Sequence, residues 1–278
     1  MRILIKLIVT DMNKTFLNEA NRYDEIKFAK TFQKMKQQNV NFAVASGGPN
    51  DKLQNLFIDY QDQMDFISQN GSVIYRGSDL VHAESLSDDQ IKQTLKMLYD
   101  DFGPDIVGVN VSGLKHTYVD KKLPEKMYQL MKQYYSNTVR VDDLADISSA
   151  STNDQLVKVG VTFKQGENVM RKVHEMRQML PNGLESLSSG FNTDLIGTQG
   201  VDKATGVRYL MKKYDANPEE VVTFGDNEND LGMLRLTPNS YAMKNGIAEA
   251  KDNAGHVTEF DNRHDGVLRT IDNILDNQ

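Results

Sequence analysis

Residues 3–18 read ILIKLIVTDMNKTFLN. From Ile3 to Val9 every position but Lys6 is apolar, and two residues later the run meets a carboxylate, Asp11. A strand that is apolar at successive positions, rather than at alternate ones, is buried on both faces, as in a parallel sheet covered by helices. In an open sheet of that kind the ligand site lies beyond the carboxyl ends of the strands. The stretch therefore predicts an α/β fold and puts Asp11 at a chemically useful place.

The same signature returns twice. VNFAVASGGPN predicts a buried strand over Val40 to Ala45 that ends in Ser46-Gly47-Gly48, with Pro49 suited to a first helical position. VVTFGDNEND predicts another, ending in Gly225-Asp226-Asn227-Glu228-Asn229-Asp230. Between the first two tips, Ile26, Phe28, Ala29, Phe32 and Met35 recur at helical spacing. MDFISQNGSVIY predicts two short strands around an Asn70-Gly71 turn.

From about residue 83 to 197 the pattern changes. SDDQIKQTLKMLYDDF opens with a Ser-x-x-Gln capping pattern and carries Ile91, Leu95, Met97 and Leu98 on one face. DIVGVNVSG, KHTYVD, QLVKVGVTFK, LESLSSG and TDLIGT predict strands, and LPEKMYQLMKQYY and ENVMRKVHEMRQML predict helices. That order fits helices on one face of an antiparallel or mixed sheet. The expected organisation is a doubly wound parallel core, residues 1–82 and 198–278, split by an inserted domain, 83–197.

Bulk properties narrow the function. A net charge of −7 over 278 residues argues against nucleic acid as a main partner, since a phosphate backbone needs a basic surface. It leaves room for small phosphorylated ligands, because a bound cation reverses the local sign. With no cysteine in the chain, disulfides, thiolate catalysis and cysteine-ligated zinc are excluded. The longest apolar run is interrupted by Lys6, is far too short to span a membrane and lacks the pattern of a signal peptide. The expectation is a cytoplasmic protein without a membrane partner, a monomer or weak homo-oligomer. The five histidines show no metal spacing, and the thirteen methionines read as core filler.

Brought to one sheet edge, the three tips would gather Asp11, Asp226 and Asp230. Three carboxylates in a cleft repel one another unless a cation joins them, and oxygen ligands with open positions suit Mg²⁺. Ser46, the Gly47 amide and Lys203, which opens the helix before the last strand, would then grip a phosphoryl group. Ser46 can also cap the helix that follows it. Lys14 either meets solvent or leans over the phosphate.

These segments, in this order, resemble the haloacid dehalogenase superfamily. GDNENDLGML, the preceding GVDKATGV and the tail YAMKNGIAEAKDNAGHVTEFDNRHDGV look like its Cof-type, subclass IIB phosphatases, and the likeness spans essentially the whole chain. The resemblance implies a Rossmann-like core with an inserted α+β type C2B cap that selects the substrate. It implies Asp11 as a nucleophile forming an aspartyl phosphate, Ser46 and Gly47 on the phosphate, and Lys203 neutralising charge and restraining Asp11. It implies Mg²⁺ held by Asp11, Asp226 and the backbone carbonyl of Asn13, with Asp230 acting from behind and Asn229 touching metal waters or phosphate. The expected ligand is a small phosphorylated metabolite such as a sugar phosphate.

The chain departs from the family's Asp-x-Asp-Gly-Thr pattern at two positions, Asn13 and Lys14, and has Gly48 where Arg is common. The missing second aspartate is the family's general acid and base, a role worth roughly 10²–10⁴-fold. Weak turnover is therefore expected, with a regulatory or phosphometabolite-binding module as the alternative. A receiver-like domain phosphorylated on Asp11 is disfavoured, since such domains are shorter and carry no inserted cap.

Overall fold

A computed structural model describes residues 4–135, 137–190 and 192–278. Its fourteen described strands form two sheets. The first contains β1 (Leu7–Asp11), β2 (Asn41–Ala45), β3 (Asp65–Ser68), β4 (Val73–Arg76) and β5 (Asp79–Ala83). The second contains β6 (Ile106–Gly113), β7 (Thr117–Asp120), β8 (Thr138–Val141), β9 (Leu156–Phe163), β10 (Leu184–Gly190) and β11 (Thr193–Thr198). The chain then returns to the first sheet with β12 (Val221–Gly225), β13 (Asn239–Ala242) and β14 (His256–Val257).

The first sheet has the order β14-β13-β12-β1-β2-β3-β4-β5, parallel from β14 through β3 and closed by an antiparallel β3-β4-β5 edge. β1 lies between β2 and β12, which sets Asp11 beside Ala45 and Thr10 beside Phe224. Apolar positions along β1 serve two cores. Ile8 packs with Phe28, Phe32, Phe42 and Phe57 on one side, and Leu7 and Val9 pack with Ala204, Val207 and Leu210 on the other. Burial on both faces is why β1 has no polar alternation.

The second sheet, order β10-β11-β9-β6-β7-β8, is antiparallel except where β7 runs parallel to β8. The helices Asp88–Phe102 and Val169–Met179 cover one face, with Ile91, Leu95, Leu98 and Met176 fully buried against Val111, Val159 and Ile196. The predicted Ser87–Gln90 capping box is present. The opposite face of this sheet looks towards the ends of β1, β2 and β12 and forms a cap over them.

Several local expectations shift. Ile3 lies outside the described residues, and β1 begins at Leu7, after a 59 % exposed Leu4, and ends on Asp11 itself. Ile26 is 74 % exposed, because the first turn of its helix, Glu25–Gln37, overhangs the phenylalanine core. Pro49 precedes the helix Asn50–Leu56 rather than opening it. Among the described residues, no helix is long and apolar enough to cross a membrane.

Candidate active site

Asp11 is the last residue of β1, and its neighbours on either side supply the rest of the site. Ser46 and Gly47 follow β2, and Asp226 follows β12. Asp11, Ser46 and Asp226 are each 6 % exposed, enough for one carboxylate or hydroxyl edge to reach the cavity beyond the strands.

Lys203 is the first residue of the helix Lys203–Lys213, whose start is fixed by a reciprocal Asp202–Thr205 cap. Its ammonium is wholly buried and donates to Asp11 Oδ1 at 2.5 Å and to Asp230 Oδ1 at 2.6 Å. The other Asp230 oxygen, Oδ2, accepts from the Asp226 and Asn227 amides at 2.8 and 3.0 Å. Asp230 therefore shapes the loop and orients Lys203, with both oxygens engaged. Gly225 is required here by contact: a Cβ would lie 2.4 Å from that of Asp230.

Thr15 Oγ1 donates to Asp226 Oδ1 at 2.9 Å, which ties the first tip to the last. The turn between Asp11 and Thr15 is tight, with Leu17 N–H donating to the Met12 carbonyl and Phe16 anchored among Tyr23, Phe28 and Phe57. It passes through Lys14 at φ 61°, the left-handed region that glycine enters freely and other residues enter at a cost. Asn13 is exposed and lines the cavity. At the second tip Ser46 Oγ accepts from Gly48 N–H at 3.1 Å and does not cap the helix that follows. Gly47 abuts Leu195 of the cap, and a Cβ would come within 2.9 Å of it.

Two partnerships carried no signal in the sequence pattern. Asn70 was legible only as a turn residue, and it does adopt φ 51°. Its side chain nevertheless enters the site: Oδ1 accepts from Asn229 Nδ2 at 3.0 Å, and its buried Nδ2 has no hydrogen-bond partner among the described residues. Arg177, from the cap helix Val169–Met179, reaches the core. Its Nη1 and Nη2 donate to Glu228 Oε1 and Oε2 at 2.8 and 3.1 Å, and its Nε donates to the buried Asp194 Oδ2 at 2.9 Å. Asp226 and Asn229 face the cavity on one side of the Glu228 loop, and Thr193 and Leu195 flank Asp194 on the other wall. The guanidinium thus joins the backs of two cavity walls, reaching Glu228 from 51 residues away in sequence.

Charge and burial conflict in this cluster. Burial, then Asp230, pushes the Asp11 carboxyl up to about 6 against the pull of Lys203. Burial, then Asp11 and Asp230, pushes Asp226 up to about 8. Burial opposes the charge of Lys203, but Asp11 and Asp230 outweigh it and hold the ammonium above the ordinary lysine range. One carboxylate oxygen from each of Asp11, Asp226 and Asp230 lies within 4.8 Å of the others. A crowded set of hard oxygen donors that retains protons for want of positive charge fits a small divalent cation such as Mg²⁺.

Comparison with known proteins identifies the family of the chain. The family model described as haloacid dehalogenase-like hydrolase matches residues 8–271. The 5-amino-6-(5-phospho-D-ribitylamino)uracil phosphatase YbjI of Escherichia coli K12 is 30 % identical over 276 residues, covering 98 % of this chain and 96 % of its own. The solved structure of SMU.1108c from Streptococcus mutans UA159 superposes with a TM-score of 0.90 at 25 % identity, over 98 % of this chain and 99 % of that one. The subclass IIB sugar phosphatase BT4131 shares the fold at a TM-score of 0.78 and 17 % identity, over 96 % and 98 % of the two chains.

Proposed function

The chain belongs to the haloacid dehalogenase-like hydrolases, and from that premise we propose that it is a Mg²⁺-dependent phosphatase for a small phosphorylated metabolite, working through an aspartyl phosphate on Asp11. The observation that carries this reading is the buried Lys203 ammonium shared by Asp11 Oδ1 and Asp230 Oδ1. A lysine that pins one oxygen of a cavity-facing carboxylate leaves the other oriented for attack and neutralises charge that gathers on an incoming phosphoryl group.

In the first step an Asp11 oxygen bonds to phosphorus as the bond from phosphorus to the ester oxygen breaks. Ser46 Oγ and the Gly47 amide donate to phosphoryl oxygens. In the second step water attacks the same phosphorus, releasing inorganic phosphate and restoring the Asp11 carboxylate. Asp11, Asp226 and the Asn13 carbonyl would hold Mg²⁺, which supplies charge neutralisation at the phosphoryl oxygens. The cap residues 83–197 exclude bulk water and contact the leaving group. The departing alkoxide takes its proton from water, because Asn13 carries an amide in place of an acid.

Asn13→Asp tests this account. The variant is expected to release phosphate from p-nitrophenyl phosphate and sugar phosphates faster, by roughly 10²-fold for poor leaving groups and less for good ones. The wild type is expected to accumulate an acid-stable, hydroxylamine-sensitive phosphoenzyme. If the variant is no faster on any substrate, the role assigned to position 13 is wrong. The amide also favours a second reading, a binding or regulatory module. Calorimetry separates the two, since tight phospholigand binding with no turnover in either form supports the module.

A further inference from the structure

Residues 69–71 carry the chain from β3 to β4 through three successive left-handed conformations, Gln69 at φ 53°, Asn70 at φ 51° and Gly71 at φ 90°. Residues with a side chain enter that region at a cost. Gln69 and Asn70 are also buried, at 2 % and 0 % exposure. Among the described residues four buried side-chain atoms lack a hydrogen-bond partner, and three of them, Gln69 Oε1, Asn70 Nδ2 and Ser72 Oγ, belong to this turn and the residue after it. A buried polar atom left unpaired is costly. Both costs fall on one short segment, which marks a conformation kept for use rather than for stability.

The contacts of the turn point to that use. Asn70 N–H donates to the Ser46 carbonyl at 2.9 Å and Gln69 N–H donates to the Gly48 carbonyl at 3.0 Å, so the turn backbone carries the second strand tip. Asn70 Oδ1 lies against Gly47, 3.2 Å from where a Cβ would stand, and accepts from Asn229 Nδ2 at 3.0 Å. Ser46 and Gly47 follow β2 and Asn229 follows β12, the two strands on either side of β1. Asn70 therefore spans the two tips that flank Asp11. Asn229 is 7 % exposed and lines the cavity with Ser46 and Gly47, and the bond to Asn70 fixes the plane of its amide. Few residue types suit this position. Glycine accepts the conformation but has no side chain to meet Asn229. Aspartate would add a further buried carboxylate to a site that already holds Asp11, Asp226 and Asp230.

We propose that Asn70 is a positioning residue of the reaction: it turns the Asn229 amide towards the phosphoryl group and holds it at a fixed spacing from Ser46 and Gly47 across Asp11. This assignment rests on the phosphatase reading for the identity of the ligand.

Asn70→Gly tests it, because the variant keeps the left-handed backbone and removes only the side chain. With the full chain and Mg²⁺, orthovanadate, a mimic of the phosphoryl group in transfer, should bind the variant about tenfold more weakly by calorimetry, and kcat/KM for p-nitrophenyl phosphate should fall by a similar factor. Tm should stay level or rise. In an Asn229→Ala background, adding Asn70→Gly should change neither quantity by more than about twofold, since the partner it acts through is gone. Unchanged vanadate affinity in Asn70→Gly, an equal loss in both backgrounds, a fall in Tm of about 5 °C or more, or a wild type that binds no vanadate overturns the proposal. The expected coupling in vanadate affinity, with no phosphate released from p-nitrophenyl phosphate or from sugar phosphates, overturns instead the hydrolytic reading.

Discussion

The strand tips bearing Asp11, Ser46 and Asp226 and the cap face bearing Asn110, Thr162 and Tyr134 line one cavity, yet they are held in opposite ways. The tip carboxylates are fixed by charge and hydrogen bonds, and Ser46 by the Gly48 amide. Lys203, Asp230, Asp11, Asp226 and Thr15 form one continuous set of hydrogen bonds and ion contacts, nearly all of it buried. Among the described residues, the cap side chains that line the cavity are uncharged, and Leu130 and Tyr134 among them are exposed. Truncating a tip residue strands a buried charge, whereas truncating a cap residue removes contact area. The first should cost stability and rate, and the second selectivity.

Lys203→Met should break the tip region most severely. It leaves Asp11 and Asp230 buried without their cation, a loss of about 3–5 kcal/mol for breaking a buried pair. Urea unfolding monitored by circular dichroism measures it, and phosphate release should fall with it. A loss below about 1 kcal/mol would mean that the tip carboxylates are held by something other than charge.

A change of pH sharpens the same contrast without a mutation. Asp11 and Asp226 have folded values raised to about 6 and about 8, above those of an unfolded chain. The folded protein thus keeps protons that the unfolded chain gives up near pH 4. The associated stability is present at low pH and is lost as pH rises through 6 and then 8. A cation at these carboxylates displaces those protons, so Mg²⁺ affinity should rise more than about tenfold between pH 6 and pH 8.5. Calorimetry in two buffers of different ionisation heat counts the released protons. A pH-independent affinity with no proton release would show that the carboxylates are already ionised before the cation binds.

Among the described residues, Arg177 makes the one ion contact that crosses between the two regions at this edge of the cavity, and Glu228→Gln tests whether they are independent. Arg177 and Glu228 are each about a third exposed, so the pair is screened and worth about 1 kcal/mol or less in stability. Asp194 keeps its own contact with Arg177 Nε in the variant. KM is expected to rise about threefold with kcat within twofold, and 0.5 M NaCl should reproduce much of this in the wild type. A fall in kcat at constant KM would mean that the cap tunes the chemistry directly.

How much of this was legible from residues alone also divides by region. The tips could be read because a strand buried on both faces is a continuous apolar run, and any polar cluster at its end stands out. The same rule misplaced the start of β1, since Leu4 is apolar but 59 % exposed and lies outside the strand. The cap sheet could be read from its core side, where Val109, Val111, Val159 and Val161 are buried. Its cavity face could not, because Asn110 and Thr162 look like ordinary outward positions of alternating strands. β8, with two exposed central residues, and the two-residue β14 carry too little pattern to register. Asn70 and Arg177 act through partners 159 and 51 residues away, and no local spacing encodes such pairs.

Lys14→Gly carries the smallest expected effect and separates the two readings of that residue. Its φ of 61° costs an ordinary residue about 1–2 kcal/mol, offset by about 0.4–1 kcal/mol of extra freedom that glycine gains in the unfolded chain. The turn keeps its outside support, because Asn245 Nδ2 donates to the Lys14 backbone carbonyl at 2.7 Å, a bond that the substitution leaves in place. The net gain should stay below about 1 kcal/mol, a rise of about 1–3 °C in Tm by calorimetry. If the lysine serves only the turn, KM for a phosphomonoester should stay within twofold while Tm rises. If the ammonium leans over the phosphate, KM should rise severalfold despite the gain in Tm, and this position then belongs with the charge-held tips rather than with the loop that carries them.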